Sequence, residues 1–243
     1  MNTKKLFGAL VVAMMLLTNL ASAQKNRILV FSKTAGFKHS SIGIGVAAIQ
    51  KLGTENKFAV DTTTDASNFN AANLKKYKAV VFLNTTGNAL TDEEQTAFEQ
   101  FIKSGKGFVG VHAATDTEYE WAWYGKLVGA YFISHPEQQT ATLNVVDRTT
   151  IATKHLPEKW SRKDEWYNFK NIGTDLKVLI KIDETSYKGG VNGENHPMAW
   201  YHDFDGGRAF YTELGHVEES YTDPLFLNHV LGGIKYALGA KMK

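Results

Sequence analysis

The chain of 243 residues contains no cysteine. That one absence removes thiol nucleophiles, thiolate zinc sites, iron–sulfur clusters and disulfides together. It also excludes a lipid anchor on a cysteine after an export signal. No block of lysine or arginine occurs, and 27 basic residues stand against 25 acidic ones. Such a balance offers no electrostatic footprint for nucleic acid. Linkers, internal repeats and low-complexity stretches are missing as well, which predicts one domain over residues 24–243.

The N-terminus carries the pattern of an export signal. Lys4 and Lys5 precede a mostly apolar stretch from Leu6 to Leu20, and Ala21-Ser22-Ala23 supplies small residues for cleavage. The stretch is interrupted by Thr18 and Asn19 and is short for a bilayer span. Residues 1–23 are therefore expected to be a signal peptide, leaving no retained membrane anchor and a periplasmic or secreted product. A chain of the remaining size can fold around a full core without disulfides.

The first half alternates as parallel α/β proteins do. Arg27 to Ser32 is a short apolar run typical of a strand covered on both faces. A helix with Ile42, Val46, Ile49 and Leu52 follows, expected to end near Gly53. Strands are expected at Phe58–Thr62, Ala79–Leu83 and Gly107–His112. Thr91-Asp92-Glu93-Glu94 is a capping box opening a helix closed by Gly105. The second half is richer in strand, with Thr140–Val146, Lys177–Ile182, and a hairpin pairing Ala199–Phe204 with Arg208–Glu213 across Asp205-Gly206-Gly207. Asp223-Pro224 caps a closing helix. A doubly wound sheet with helices on both faces is the expected fold.

In such sheets ligands bind beyond the carboxyl ends of the strands. Three loops qualify, carrying Lys38, His39 and Ser40; Asn84, Thr85 and Thr86; and His112, Thr115 and Asp116. Gly110-Val-His112-Ala-Ala114 has the small-x-X-x-small form of a nucleophile elbow, with His112 at the raised position. A histidine there can be a general base or acid, a metal ligand, a donor to a sugar, or a cap on the next helix. A metal would need several of His39, His112, His135, His202, His216, Asp116 and Glu165 to converge. No His-x-x-x-His spacing marks a metal motif, so a divalent ion such as zinc is permitted but not indicated, with His39, His112 and His216 as candidate ligands. Aromatic residues accompany the polar ones, including Trp121 and Tyr167. Such faces beside carboxylates and imidazoles suit carbohydrate.

Together these motifs resemble a known family. Gly36-Phe-Lys-His39, Gly107 to Asp116, Tyr124 to Gly129, His135-Pro136, Asp164-Glu-Trp-Tyr167, His196 to Trp200, and Gly206 to Tyr211 followed by Leu214-Gly-His216 are similar to the ThuA-like (trehalose utilisation) family. The resemblance implies a flavodoxin-like fold of the class I glutamine amidotransferase type. With His112 where those enzymes place cysteine, amide hydrolysis by that mechanism is excluded. The resemblance also implies the handling of disaccharides or oxidised keto-glycosides. On that basis His112, Asp116 and Glu165 are the expected catalytic residues. Lys38, His39, Asn84, Thr85, Trp121, His135, Tyr167 and His216 are the expected substrate contacts. The alternatives are a non-catalytic carbohydrate-binding protein and a metal-dependent hydrolase.

Overall fold

A computed structural model describes residues 26–243; the expected signal peptide lies outside the described residues. Its centre is a nine-stranded sheet in the order β2-β1-β3-β4-β11-β10-β9-β6-β7. The strands are β1 (Arg27–Phe31), β2 (Ala59–Thr63), β3 (Ala79–Leu83), β4 (Gly107–Val111), β6 (Gln139–Val145), β7 (Lys159–Asp164), β9 (Lys177–Ile182), β10 (Pro197–Phe204) and β11 (Gly207–Thr212). Two further strands, β5 (Tyr131–Ser134) and β8 (Asn168–Lys170), form a separate antiparallel pair.

Strands β2, β1, β3, β4 and β11 are mutually parallel, and β3 and β4 are buried at every position. That pattern follows from helices covering both faces. Phe82 and Phe108 meet Phe98 of α3 (Asp92–Lys103) and Tyr124 of α4 (Ala122–Val128) on one face. A short helix, α2 (Ala71–Leu74), packs beside α3. The opposite face carries α1 (Ile42–Asn56) and α5 (Pro224–Ala237). On β11, Phe210 points to His229 of α5, while its neighbour Tyr211 points to the other side against Trp200. This is the alternation that period-two strands impose.

The capping box at Thr91 and Glu94 is present, with each side chain bonded to the other's backbone. Helix α1 does not stop at Gly53 but runs three residues further to Asn56, where Lys57 turns left-handed at φ 61°. Gly53 is a packing residue, since a Cβ there would come 2.5 Å from Val60. The expected hairpin forms, turning through Asp205 and Gly206 at φ 48° and 88°. It lies in the middle of the sheet. Strand β11 lies parallel against β4, and β10 begins the antiparallel extension through β9, β6 and β7. Strand β7, with only alternate residues shielded, is an edge strand whose charged outer face hides it from a search for apolar runs.

Among the described residues no helix is long and apolar enough to cross a membrane. The chain order reverses between β1 and β3, the topological switch point where doubly wound sheets place ligands.

Candidate metal centre

Beyond the carboxyl ends of β1, β4 and β11, and directly after β7, four side chains converge. His39, His112, Glu165 and His216 each present a ligand atom, and these atoms all lie within 4.8 Å of one another. The three imidazole rings form a nearly equilateral triangle, with centroids 4.9, 5.0 and 5.0 Å apart. His39, His112 and Glu165 are buried, and His216 is partly so.

His112 occupies a left-handed backbone conformation, φ 48°, at the sharp exit from β4. Few residues with a Cβ are held there unless surrounding bonds demand it. Here the carbonyl of His112 accepts a hydrogen bond from Tyr211 Oη at 2.7 Å, and Tyr211 also meets Thr115 Oγ1 at 3.0 Å. The His112 ring is fixed at its other edge, where Nδ1 lies 2.7 Å from the backbone oxygen of Glu213. A carbonyl oxygen can only accept, so Nδ1 carries a hydrogen and, in the neutral ring, Nε2 carries the lone pair. That lone pair faces the cluster, 3.1 Å from His216 Nδ1 and 3.5 Å from Glu165 Oε2.

Glu165 is the acidic member. Its Oε2 stands 3.0 Å from His216 Nδ1, and its Oε1 stands 3.2 Å from His135 Nδ1. Burial works to raise this carboxyl, but hydrogen bonds and charge from His112 and His216 outweigh it and hold Glu165 well below the usual carboxylate range. His39 moves the opposite way. Burial first, then the neighbouring His112 and His216, push it down to about 3, so its ring is neutral near pH 7. Its Nδ1 is buried without a hydrogen-bond partner.

The loop that delivers His216 is tied from below. Asp164, fully buried, accepts from the backbone N–H of Gly215 at 3.2 Å and of Val217 at 3.3 Å, and also from Glu165 N and Ser220 Oγ. The Gly215 carbonyl accepts from Ser41, Asn84 and Tyr221. Gly215 has φ 116°, and a Cβ there would lie 2.9 Å from Tyr221 Oη. Glycine is therefore required at this turn.

These facts place the predicted residues. Asn84 is buried behind the cluster, where its Nδ2 holds Ser41 Oγ at 3.0 Å. Thr85 bonds Thr117 and is likewise supporting structure. Lys38 is exposed on the rim next to His39. Tyr167 lies under the site, its ring centroid 4.3 Å from that of His112. Burial, then the charges of Glu165 and Asp116, raise its hydroxyl well above the ordinary phenol value, so it stays protonated. Asp116 is partly buried and accepts from Tyr119 Oη at 2.6 Å; burial raises its carboxyl although that bond pulls against the shift. Trp121 is elsewhere. Its ring packs on Phe98, Trp123 and Tyr124 and its N–H donates to Glu99, so it belongs to the helical layer.

Two residues escaped the reading of the sequence. Asp164 was visible only as part of a motif, and Glu213 only as a strand end. Glu213 is fully buried, with Oε1 accepting from Tyr167 N at 3.0 Å and Oε2 lacking any partner. Burial, then the charge of Asp164, raise its carboxyl strongly, so it is neutral.

The donor set fits a divalent cation. A tetrahedral shell with bonds of about 2.1 Å sets donors roughly 3.4 Å apart. The separations among His112 Nε2, His216 Nδ1 and Glu165 Oε2, at 3.0, 3.1 and 3.5 Å, are close to it, and His39 completes a set that lies within 4.8 Å. Three imidazoles and a carboxylate suit zinc and its first-row neighbours better than magnesium or calcium, which prefer oxygen. The backbone oxygen behind His112 Nδ1 is the outer partner that metal-binding histidines regularly have.

A family model described as ThuA, trehalose utilisation, matches residues 27–237. A ThuA-like protein from Bacteroides uniformis is similar in structure, with a TM-score of 0.74 and 26% identity over 90% of this chain and 93% of that one. A ThuA-like protein from Parabacteroides merdae gives a TM-score of 0.74 at 20% identity, covering 89% of this chain and 91% of that one. A β-galactosidase from Bacillus circulans shares the fold alone, with a TM-score of 0.59 and 12% identity over 90% of this chain and 32% of that one. Comparison with curated protein sequences gives no match.

Proposed function

The chain belongs to the ThuA family, and from that membership together with its His/Glu cluster we propose that it is a metal-dependent enzyme acting on a carbohydrate. The carrying observation is the convergence of His39, His112, Glu165 and His216 on one point. The substrate class is a disaccharide or keto-glycoside, and the reaction an isomerisation, elimination or hydrolysis driven by proton transfer. The export pattern of residues 1–23 supports a site of action outside the cytoplasm.

His39, His112, Glu165 and His216 would hold a divalent cation, which would supply Lewis-acid chemistry toward a substrate oxygen. The remaining work falls to the chain itself. His112, with Nδ1–H engaged by Glu213 O, is committed as a ligand and does not shuttle protons. Glu165 stays ionised and offsets the cation's charge, while His39 stays neutral and keeps a lone pair available. The proton-carrying role passes to Asp116, whose raised carboxyl is better matched to acid–base work than an ordinary aspartate. Tyr167 closes the floor of the site and excludes water behind His112.

The test is metal analysis of the mature protein, followed by proton NMR with a panel of 3-keto-glucosides in deuterated water. The expected result is about one divalent cation per chain and metal-dependent loss of a carbon-bound proton or release of the aglycone. Sugar binding without any product would make the protein a binder. Absence of metal at full zinc exposure would overturn the proposal.

A further inference from the structure

Among the described residues five large apolar side chains stand open to solvent: Phe37, Tyr119, Ile133, Val146 and Val191. Phe37 is the most exposed, at 66%. It also touches a residue of the candidate metal centre. Its ring meets the His39 ring edge-on, with centroids 4.9 Å apart. Tyr119, by contrast, is engaged through its hydroxyl with Asp116 and through its face with Lys170.

The exposure of Phe37 is not the drift of a loose loop. Ala35 N donates to Thr86 O at 2.8 Å, Gly36 N to Thr86 Oγ1 at 3.2 Å, and Thr86 Oγ1 to Phe37 O at 2.9 Å. Three consecutive residues are thereby fastened to the loop after β3. The backbone is held while most of the benzyl group stands open to water, touching the His39 ring at one edge, an arrangement that costs hydration free energy. A rigid aromatic beside a polar site is what a ligand with one apolar face needs. Pyranose rings have such a face, formed by their axial C–H groups, while their hydroxyls require donors and acceptors. Here those polar partners are close by, in Glu165-bonded His135 and in Asp116.

We propose that Phe37 is the stacking platform for a pyranose ring of the substrate, setting one sugar against the edge of the His39–His112–His216 triangle. This assignment rests on the carbohydrate reading of the site. It makes Phe37 a specificity-determining residue for ligands with an uninterrupted axial C–H face. Because the loop is already fixed, the platform is in place before the sugar arrives and no ordering of the loop opposes binding.

The experiment uses the zinc-loaded mature protein with trehalose and methyl α-glucoside as probes, titrated by calorimetry against wild type, Phe37→Ala and Phe37→Trp. Zinc content is measured on each sample in parallel. The expected result is sugar binding by wild type, a loss of roughly tenfold in Phe37→Ala, near-wild-type affinity in Phe37→Trp, and equal zinc in all three. Saturation of aromatic protons should transfer to the ring C–H protons of the sugar in wild type and not in Phe37→Ala. Equal affinity in wild type and Phe37→Ala overturns the platform and leaves the metal centre standing. Zinc without any sugar binding overturns it too. Phe37-dependent sugar binding in a protein that takes no zinc sustains the platform and removes the metal reading instead.

Discussion

His112 Nδ1 and the backbone oxygen of Glu213 lie 2.7 Å apart, a contact between the ends of two adjacent parallel strands. It determines which nitrogen of His112 is free and where that nitrogen points. The candidate metal centre therefore depends on a bond made by main chain, out of reach of simple side-chain mutation.

Replacing the ring tests this directly. His112→Asn keeps a residue that tolerates the left-handed conformation at φ 48°. The fold should survive, judged by circular dichroism, while zinc affinity in a chelator competition falls by more than about 100-fold, beyond what loss of an outer partner produces. Unchanged affinity would remove His112 from the ligand set.

Glu213 predicts a pH dependence of stability. Its carboxyl is raised in the folded state by burial and by the charge of Asp164. A group raised on folding contributes stability that is complete below its unfolded value, near about 4.3, and is lost as pH climbs toward the folded value. Wild type should thus weaken as pH rises above about 4.3 relative to Glu213→Gln, by up to about 1.4 kcal/mol per pH unit. Glutamine keeps an oxygen for Tyr167 N, so urea melts of the two proteins should converge near pH 4. Parallel curves across the range would mean that Glu213 is ionised.

Asp164 acts through His216 without facing the cation. Asp164→Asn gives up a buried charge that holds Gly215 N and Val217 N. Zinc affinity should fall roughly 10- to 100-fold, as for outer partners elsewhere, with metal stoichiometry preserved at saturating zinc. A change in stability alone, with the affinity untouched, would limit Asp164 to a structural role.

Trp121 provides the contrasting case. Because its ring lies among Phe98, Trp123 and Tyr124, Trp121→Phe should leave zinc and sugar affinity within about twofold and lower the melting temperature through lost packing. Impaired sugar binding would return Trp121 to the pocket.

The strand-end rule made much of the site legible before any coordinates. His39 follows β1 and His112 terminates β4, positions that chain topology alone sends to one rim. His216 sits just past the hairpin, but its approach depended on β11 joining the sheet beside β4, which local pairing signals do not specify. Glu165 was suspected from charge mixed with aromatics, although β7 itself went unseen because an edge strand with lysines outside has no apolar run. Glu213 was hidden for a different reason. A neutral buried glutamate and a solvated one look the same in sequence, since only the surroundings decide whether the proton stays. Trp121 was misplaced because proximity in sequence says nothing about which layer a ring enters.

The four ligand residues come from four distant parts of the chain, with His112 and His216 alone separated by 104 positions. In a chain without cysteine, a cation bound there is the nearest equivalent to a cross-link, a knot tying the first loop of the protein to its last. The knot cannot close until both halves of the sheet have met, so metal uptake reports completion of folding rather than any step before it. By mass action it also makes the durability of the protein a function of its surroundings: at free metal about 100 times the dissociation constant, the folded state gains about 2.7 kcal/mol. A chain of this kind would carry its reinforcement only where the medium supplies the cation.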